Sequence, residues 1–117
     1  MRLCIFHRAA PMLIASLVFD VLPDKRAEFV SAVCEIVESL RSSQGCLACR
    51  LVTDCENGNL FVMTSEWDGR TFLDRYLSSA EFSILEGTRI LLSDGPELSI
   101  DELLSRRRSP RPRRRRA

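Results

Sequence analysis

Few side chains in this sequence have a type and spacing suited to chemistry. Trp67 is the only tryptophan, Tyr76 the only tyrosine and His7 the only histidine. An indole offers a wall against which a flat apolar ring can lie, and a phenol can donate a hydrogen bond to a substrate oxygen. With a reference pKa near 10, a phenol is a poorer base at neutral pH than an imidazole. His7 lies in a terminal stretch without useful periodicity, where a solvated histidine is the ordinary case. Cys46 and Cys49 stand at CxxC spacing. Residues three apart on a strand point to opposite faces, and no second such pair completes a zinc site, so neither redox nor metal use is expected of them. Arg50 and Arg89 are open to two readings, as partners of an anionic or phenolate oxygen or as surface charges. Glu66 reads as an exposed or paired strand residue. No Ser/His/Asp set, phosphate loop or paired-carboxylate site stands out.

The elements that must hold Trp67 and Tyr76 lie between Gly45 and Phe82. Cys46 to Asp54 and Leu60 to Trp67 read as strands joined through Asn57-Gly58, a strong hairpin signal. Side chains alternate along a strand, so Phe61, Met63, Ser65 and Trp67 share one face. Asp68 is placed to cap a short helix over Arg70–Ser78, and Ser79 to cap a second from Ala80 to about Leu92. The core face of that second helix would be Phe82, Leu85, the stem of Arg89 and Leu92, with Gly87 weakening it midway. Upstream, the apolar run from Met12 to Asp20 is a strand closed by Pro23. Asp24 is placed to cap the amphipathic helix Lys25–Arg41, whose apolar positions are Phe29, Val33, Ile36, Val37 and Leu40. Ser93-Asp94-Gly95-Pro96 is a dense turn signal, and Glu97 to Leu104 alternates as a last strand.

That order is β-α-β-β-α-(α)-β, an α+β, ferredoxin-like arrangement with an antiparallel four-stranded sheet and helices on one face. Both faces of the hairpin carry apolar residues. A second subunit on the uncovered face accounts for this, so a homodimer with sheets packed face to face is expected.

At 117 residues the chain holds one core. It divides into an arm (1–11), a folded domain (12–105) and a tail (106–117). The net charge of +1 is an average of two unlike parts. Nine basic and sixteen acidic residues precede position 106, a balance of −7, whereas the tail carries eight arginines and no acid. The acidic domain is a poor partner for nucleic acid, and the tail reads as a disordered segment. Nucleic acid or an anionic surface could be held through that tail; it reads equally as an incidental extension. Five irregularly spaced cysteines make a poor disulfide framework, and reduced thiols in a cytoplasmic protein are the simpler reading. The start of the chain is loosely signal-like, but its apolar run is short, and no segment approaches a membrane span.

One resemblance is carried by several short stretches in order. They are Leu-Pro-Asp-Lys-Arg-Ala-Glu-Phe from Leu22, Gly45-Cys46-Leu47, Asn59-Leu60-Phe61-Val62, Glu66-Trp67, and Leu77-Ser78-Ser79-Ala80-Glu81-Phe82. Over about residues 12–104 the sequence resembles the antibiotic biosynthesis monooxygenase domain family, which includes quinol monooxygenases. The resemblance implies a dimeric α/β barrel whose subunits each hold a pocket between sheet and helices. It implies oxidation of small electron-rich aromatics, such as quinols and anthrones, by O₂ without metal, flavin or haem. Trp67 falls on the family's tryptophan, as an aromatic wall or as a core anchor. Tyr76 stands where many members have the histidine of a His-Leu-x-Ser motif, which leaves general-base catalysis without its usual group. The haem-degrading branch also uses an asparagine on the first strand, absent between Met12 and Asp20, so haem degradation is not expected.

The site residues expected on this basis are Tyr76 and Trp67, with Phe61, Met63, Phe72, Phe82 and Arg89 around the substrate. The alternative is a non-catalytic dimeric module that binds a small apolar ligand or a protein. A cleft roomy enough for a bicyclic ring, faced by both Trp67 and Tyr76, favours the enzyme. A site filled by Phe61, Met63, Phe72 and Phe82 favours the module.

Overall fold

The computed structural model describes residues 11–103. The stretch with His7 and the arginine-rich tail, with the expectations placed on them, lie outside the described residues. Strand β1 (Met12–Val21) passes through a 3-10 turn, Pro23–Lys25, into helix α1 (Arg26–Arg41). Then come β2 (Cys46–Thr53), β3 (Leu60–Trp67) and two short helices, α2 (Arg70–Leu77) and α3 (Ala80–Gly87). A second 3-10 turn, Thr88–Leu91, delivers the chain to β4 (Leu92–Leu103). All pairings are antiparallel and the strand order is β2-β3-β1-β4. The fold is the α+β, ferredoxin-like arrangement that the element order implies.

The register explains how the core is built. Leu13 lies opposite Trp67, Ala15 opposite Ser65, Leu17 opposite Met63 and Phe19 opposite Phe61. These residues share the helix-facing side and are all buried. Helix α1 closes over them with Phe29, Val33, Ile36, Val37 and Leu40, the five apolar positions of its 3.6-residue period. The Phe29 ring meets Phe19 and Phe61 with centroids 4.9 and 5.0 Å away. On the other side of the sheet, Val52, Val62 and Val18 form one row across three strands. Polar and charged side chains flank that row, and Val52 is 49% exposed.

Local chemistry departs from expectation at four places. Asp24 does not cap α1. The chain first makes the 3-10 turn, in which Lys25 N–H donates to the Leu22 carbonyl at 2.8 Å, and α1 begins at Arg26 without a side-chain cap. Asp68 does not cap α2 either. Gly69, at φ 109°, takes the capping position, while Asp68 N–H donates to the Gly45 carbonyl at 2.8 Å. Helix α3 stops at Gly87 instead of reaching Leu92. Gly is a weak helix former, and the next residue, Thr88, donates its hydroxyl to the Leu85 carbonyl at 2.6 Å. Finally, Ser93–Pro96 lies within β4. The register against β1 slips on either side of Asp20, so the strand bends instead of turning back. Gly95, at φ 97°, permits this: a Cβ there would sit 2.6 Å from the Val18 carbonyl oxygen.

Candidate functional site

The site is built where β3 ends. Trp67 is the last residue of β3 and points to the helix side, where it is almost fully buried. Three residues later α2 begins and carries Tyr76 back over the indole. The rings stack with centroids 4.9 Å apart and planes 19° from parallel. Phe82, from α3, meets the Tyr76 ring nearly edge-on at 5.3 Å. The joint between α2 and α3 is held by Ser79. Its hydroxyl donates to the Tyr76 carbonyl at 2.6 Å and accepts from Phe82 N–H at 3.1 Å, the N-cap that the sequence pattern implies.

Gly45 sets the other wall. It has φ 83°, and a Cβ at this position would lie 2.1 Å from Phe72 Cγ. Only a glycine lets the Phe72 ring rest directly on the backbone there.

Ser65 ties the aromatic pair to the sheet. It is 1% exposed, and it accepts a hydrogen bond from Trp67 Nε1 at 2.9 Å. Burial pushes the Tyr76 phenol well above its ordinary value, the nearby Cys49 and Cys46 push it the same way, and a hydrogen bond from the Ser65 hydroxyl opposes them. Tyr76 is therefore a neutral phenol at physiological pH, able to donate a hydrogen bond and unable to take a proton.

Beside this pair lies a cleft of about 220 Å³. Trp67, Tyr76 and Phe72 give it aromatic walls; Leu40, Ser43 and Gln44 line it from the end of α1 and the residues after it; Arg75, Ser79 and Glu81 complete it. The Arg75 guanidinium sits 5.4 Å from the Phe72 ring centroid, a cation–π arrangement. Glu81 accepts from the Ser39 hydroxyl at 3.0 Å, which joins α1 to α3. The cleft thus combines flat apolar walls, the neutral polar groups of Ser43, Gln44, Tyr76 and Ser79, one cation and one carboxylate.

Of the residues expected around a substrate, the structure brings Trp67, Tyr76 and Phe72 to this cleft. Phe61 and Met63 are on the same face of β3 but nearer its start, fully inside the core, where Phe61 packs on Phe29. Phe82 stands behind Tyr76 and does not line the cleft. Arg89 falls on the 3-10 turn after α3, exposed, with Nη1 donating to the Gly95 carbonyl at 3.4 Å. Its displacement follows from the early end of α3. Arg50 is exposed on β2, on the open side of the sheet. Sequence reasoning missed Arg75, Glu81 and Ser65. Arg75 was legible as the i+3 neighbour of Phe72 on one helix face. The role of Ser65 depends on the β3 register and has no local signal.

The Cys46–Cys49 pair also differs from expectation. Cys46 lies opposite Trp67, but Ala48 already lies opposite Glu66, so Leu47 is an extra residue in a β-bulge. Cys49 then lies opposite Ser65. The bulge restores both cysteines to the helix-facing side, which a regular strand would not do.

The profile of the antibiotic biosynthesis monooxygenase family matches residues 12–83, which include β1, α1, the hairpin, α2 and the start of α3. No curated protein matches the sequence. Among solved structures, a conserved protein from Methanosarcina mazei Go1 is similar, with a TM-score of 0.72 and 23% identity over 77% of this chain and 90% of that one. Rv0793 from Mycobacterium tuberculosis aligns with a TM-score of 0.71 and 16% identity over 87% of this chain and 100% of that one. A structure named antibiotic biosynthesis monooxygenase aligns with a TM-score of 0.66 and 21% identity over 80% of this chain and 95% of that one. At these identities the structural likeness speaks for the fold.

Proposed function

The chain belongs to the antibiotic biosynthesis monooxygenase family, and from that premise we propose that it oxidises a small aromatic substrate of the quinol or anthrone kind with O₂ in the cleft beside Trp67. The observation that carries this reading is the stacked Trp67–Tyr76 pair facing a cleft of about 220 Å³. A space of this size admits one or two fused rings against Trp67 and Phe72, which narrows the class to the smaller members.

The chemistry asks three things of the chain. It must hold a flat ring, steady an oxygen substituent, and keep bulk water from the reacting carbon. Trp67 and Phe72 hold the ring. The Tyr76 hydroxyl donates to the substrate oxygen and favours negative charge there as the substrate loses a proton. Since Tyr76 does not accept that proton, Glu81, the carboxylate that lines the cleft, takes it directly or through water. For a quinol the balance closes with O₂ alone: one oxygen atom becomes a hydroxyl on a ring carbon that loses its hydrogen, the ring is left as the quinone, and the other oxygen atom leaves as water. For a ring CH₂ it closes in the same way. One oxygen atom becomes the new carbonyl, and the other leaves as water with the two hydrogens. The substrate supplies the electrons.

We further propose that two copies associate through the open sheet face, centred on the row Val52–Val62–Val18, as family members are commonly dimeric. One observation favours a second reading, a ligand-binding module without turnover: the residue over the indole is a neutral phenol where an imidazole would supply a base. Oxygen uptake over a panel of one-ring to three-ring quinols and anthrones separates the two. Uptake above buffer with the smaller substrates supports the enzyme; saturable quenching of Trp67 fluorescence without uptake supports the module.

A further inference from the structure

The bulge in β2 creates a feature that the cleft does not use. In a regular strand Cys46 and Cys49 would be about 10 Å apart on opposite faces. Here they stand opposite Trp67 and Ser65. Those two positions are separated by about 6.8 Å along one face of β3, and the cysteine backbones are set to the same spacing. Neither cysteine is in a disulfide, and the Cys46 thiol donates to the Ala48 carbonyl at 3.5 Å. Cys49 is 3% exposed, Cys46 half-buried. A recess of about 370 Å³ opens on them, lined by Arg41, Cys46, Leu47, Ala48, Cys49 and Arg50. Arg41 is fixed in place there, its Nε donating to the Cys49 carbonyl at 2.9 Å.

We propose that Cys46 and Cys49 form a two-coordinate site for a soft monovalent cation of the copper(I) type. Thiolate sulfur is the ligand such cations select. With metal–sulfur bonds of about 2.3 Å, a linear bridge spans about 4.6 Å between sulfurs, which two parallel side chains at this spacing can reach. A disulfide would need the sulfurs to close to about 2.05 Å from backbone positions at the upper limit of its range. Among the described residues no group of three or more His, Cys, Asp or Glu could hold a metal ion, so tetrahedral zinc has no ligand set here. Digonal coordination needs only the pair.

Binding balances without electron transfer. Each thiol releases its proton to water, each sulfur bonds the cation, and the product is a dithiolate complex of charge −1. The guanidiniums of Arg41 and Arg50 both favour negative charge at Cys49 and offset that charge. Burial, with the neighbouring Cys46, holds the Cys49 thiol high, at about 12, and burial raises Cys46 as well. Peroxide, which reacts with thiolates, is therefore a poor reagent for the pair, whereas a soft cation displaces the protons itself.

The test uses the full chain, reduced and free of oxygen, titrated with copper(I) supplied as its coloured bicinchoninate complex. The native chain and the triple variant Cys4→Ser/Cys34→Ser/Cys55→Ser should each withdraw one equivalent, and Cys46→Ser should lose it. A second measurement needs no variant. Maleimide labelling of the native fold, continued until both cysteines of the copper-free chain have reacted, followed by cleavage at arginine, reports residues 42–50 as one fragment with both cysteines. Loading with copper(I) should protect that fragment while Cys34 and Cys55, which are exposed, are labelled as before. Retention of the equivalent by Cys46→Ser, failure of the triple variant to bind, a fragment labelled regardless of copper, or a fragment two hydrogens lighter would each overturn the proposal. The last would reassign the pair to thiol oxidation.

Discussion

Tyr76 forms one wall of the cleft. Its ring completes the stack on Trp67, and its hydroxyl is held neutral by burial. Tyr76→Phe keeps the stack and removes the donor. If the hydroxyl steadies a charged substrate oxygen, oxygen uptake should fall by about 10²-fold with the smaller quinols. The melting temperature should fall by only about 4–8 °C, since one hydrogen bond is worth about 1 kcal/mol. The raised phenol also predicts a direction with pH. The folded state keeps the proton after the unfolded state has lost it. The stability from this group is full below the unfolded value near 10 and declines above it, by up to about 1.4 kcal/mol per pH unit. Urea denaturation from pH 9 to 11 should therefore show a shallower alkaline decline in Tyr76→Phe than in the native chain; equal slopes would count against a buried phenol. At this scale the sequence was half legible. The unusual residues, Trp67 and Tyr76, announced themselves, and Phe72 lay in the right helix. Phe61 and Met63 were assigned by strand face alone, which distinguishes core from solvent but not one end of the core from the other.

Elements position these side chains through two local devices. Gly45 must hold a left-handed conformation directly beneath the Phe72 ring. Gly45→Ala combines backbone strain with overpacking and should cost about 2–4 kcal/mol in chemical denaturation, and it should weaken ligand binding by displacing Phe72. Ser79 joins α2 to α3. Ser79→Ala removes the N-cap and the bond to the Tyr76 carbonyl and should cost about 1 kcal/mol. Periodicity made β1, α1, β2 and β3 readable to within a residue or so. The misreadings have a common cause. Asp24, Asp68 and the Ser93–Pro96 signal are side-chain and turn preferences of a few tenths to about 1 kcal/mol; a local 3-10 turn overrides the first, and backbone pairing with distant segments overrides the other two. The slipped register around Asp20 turned a loop signal into a bent strand, and the extra Leu47 in β2 reversed the faces of Cys46 and Cys49. Bulges leave little trace in alternation because a single added residue looks like ordinary sequence.

At the scale of the whole molecule, the open face of the sheet is the surface on which the proposed second copy would pack. Its central row of valines is flanked by Arg50, Thr64 and Ser16 on one side and by Leu60 and Asp20 on the other, a partly polar surface. Val52 is half exposed, so Val52→Asp should leave the subunit folded and sediment as a monomer, whereas the native chain should sediment as the proposed dimer. A native chain that sediments as a monomer would remove the dimer from the account. Among the described residues no helix is long and apolar enough to cross a membrane. The most direct test of the central claim is oxygen consumption with a panel of one-ring and two-ring quinols. The native chain should take up O₂ above buffer, and Trp67→Phe and Tyr76→Phe should both reduce that uptake while remaining folded. No uptake by the native chain, or uptake unchanged in both variants, would contradict the assignment of oxidation to the cleft beside Trp67.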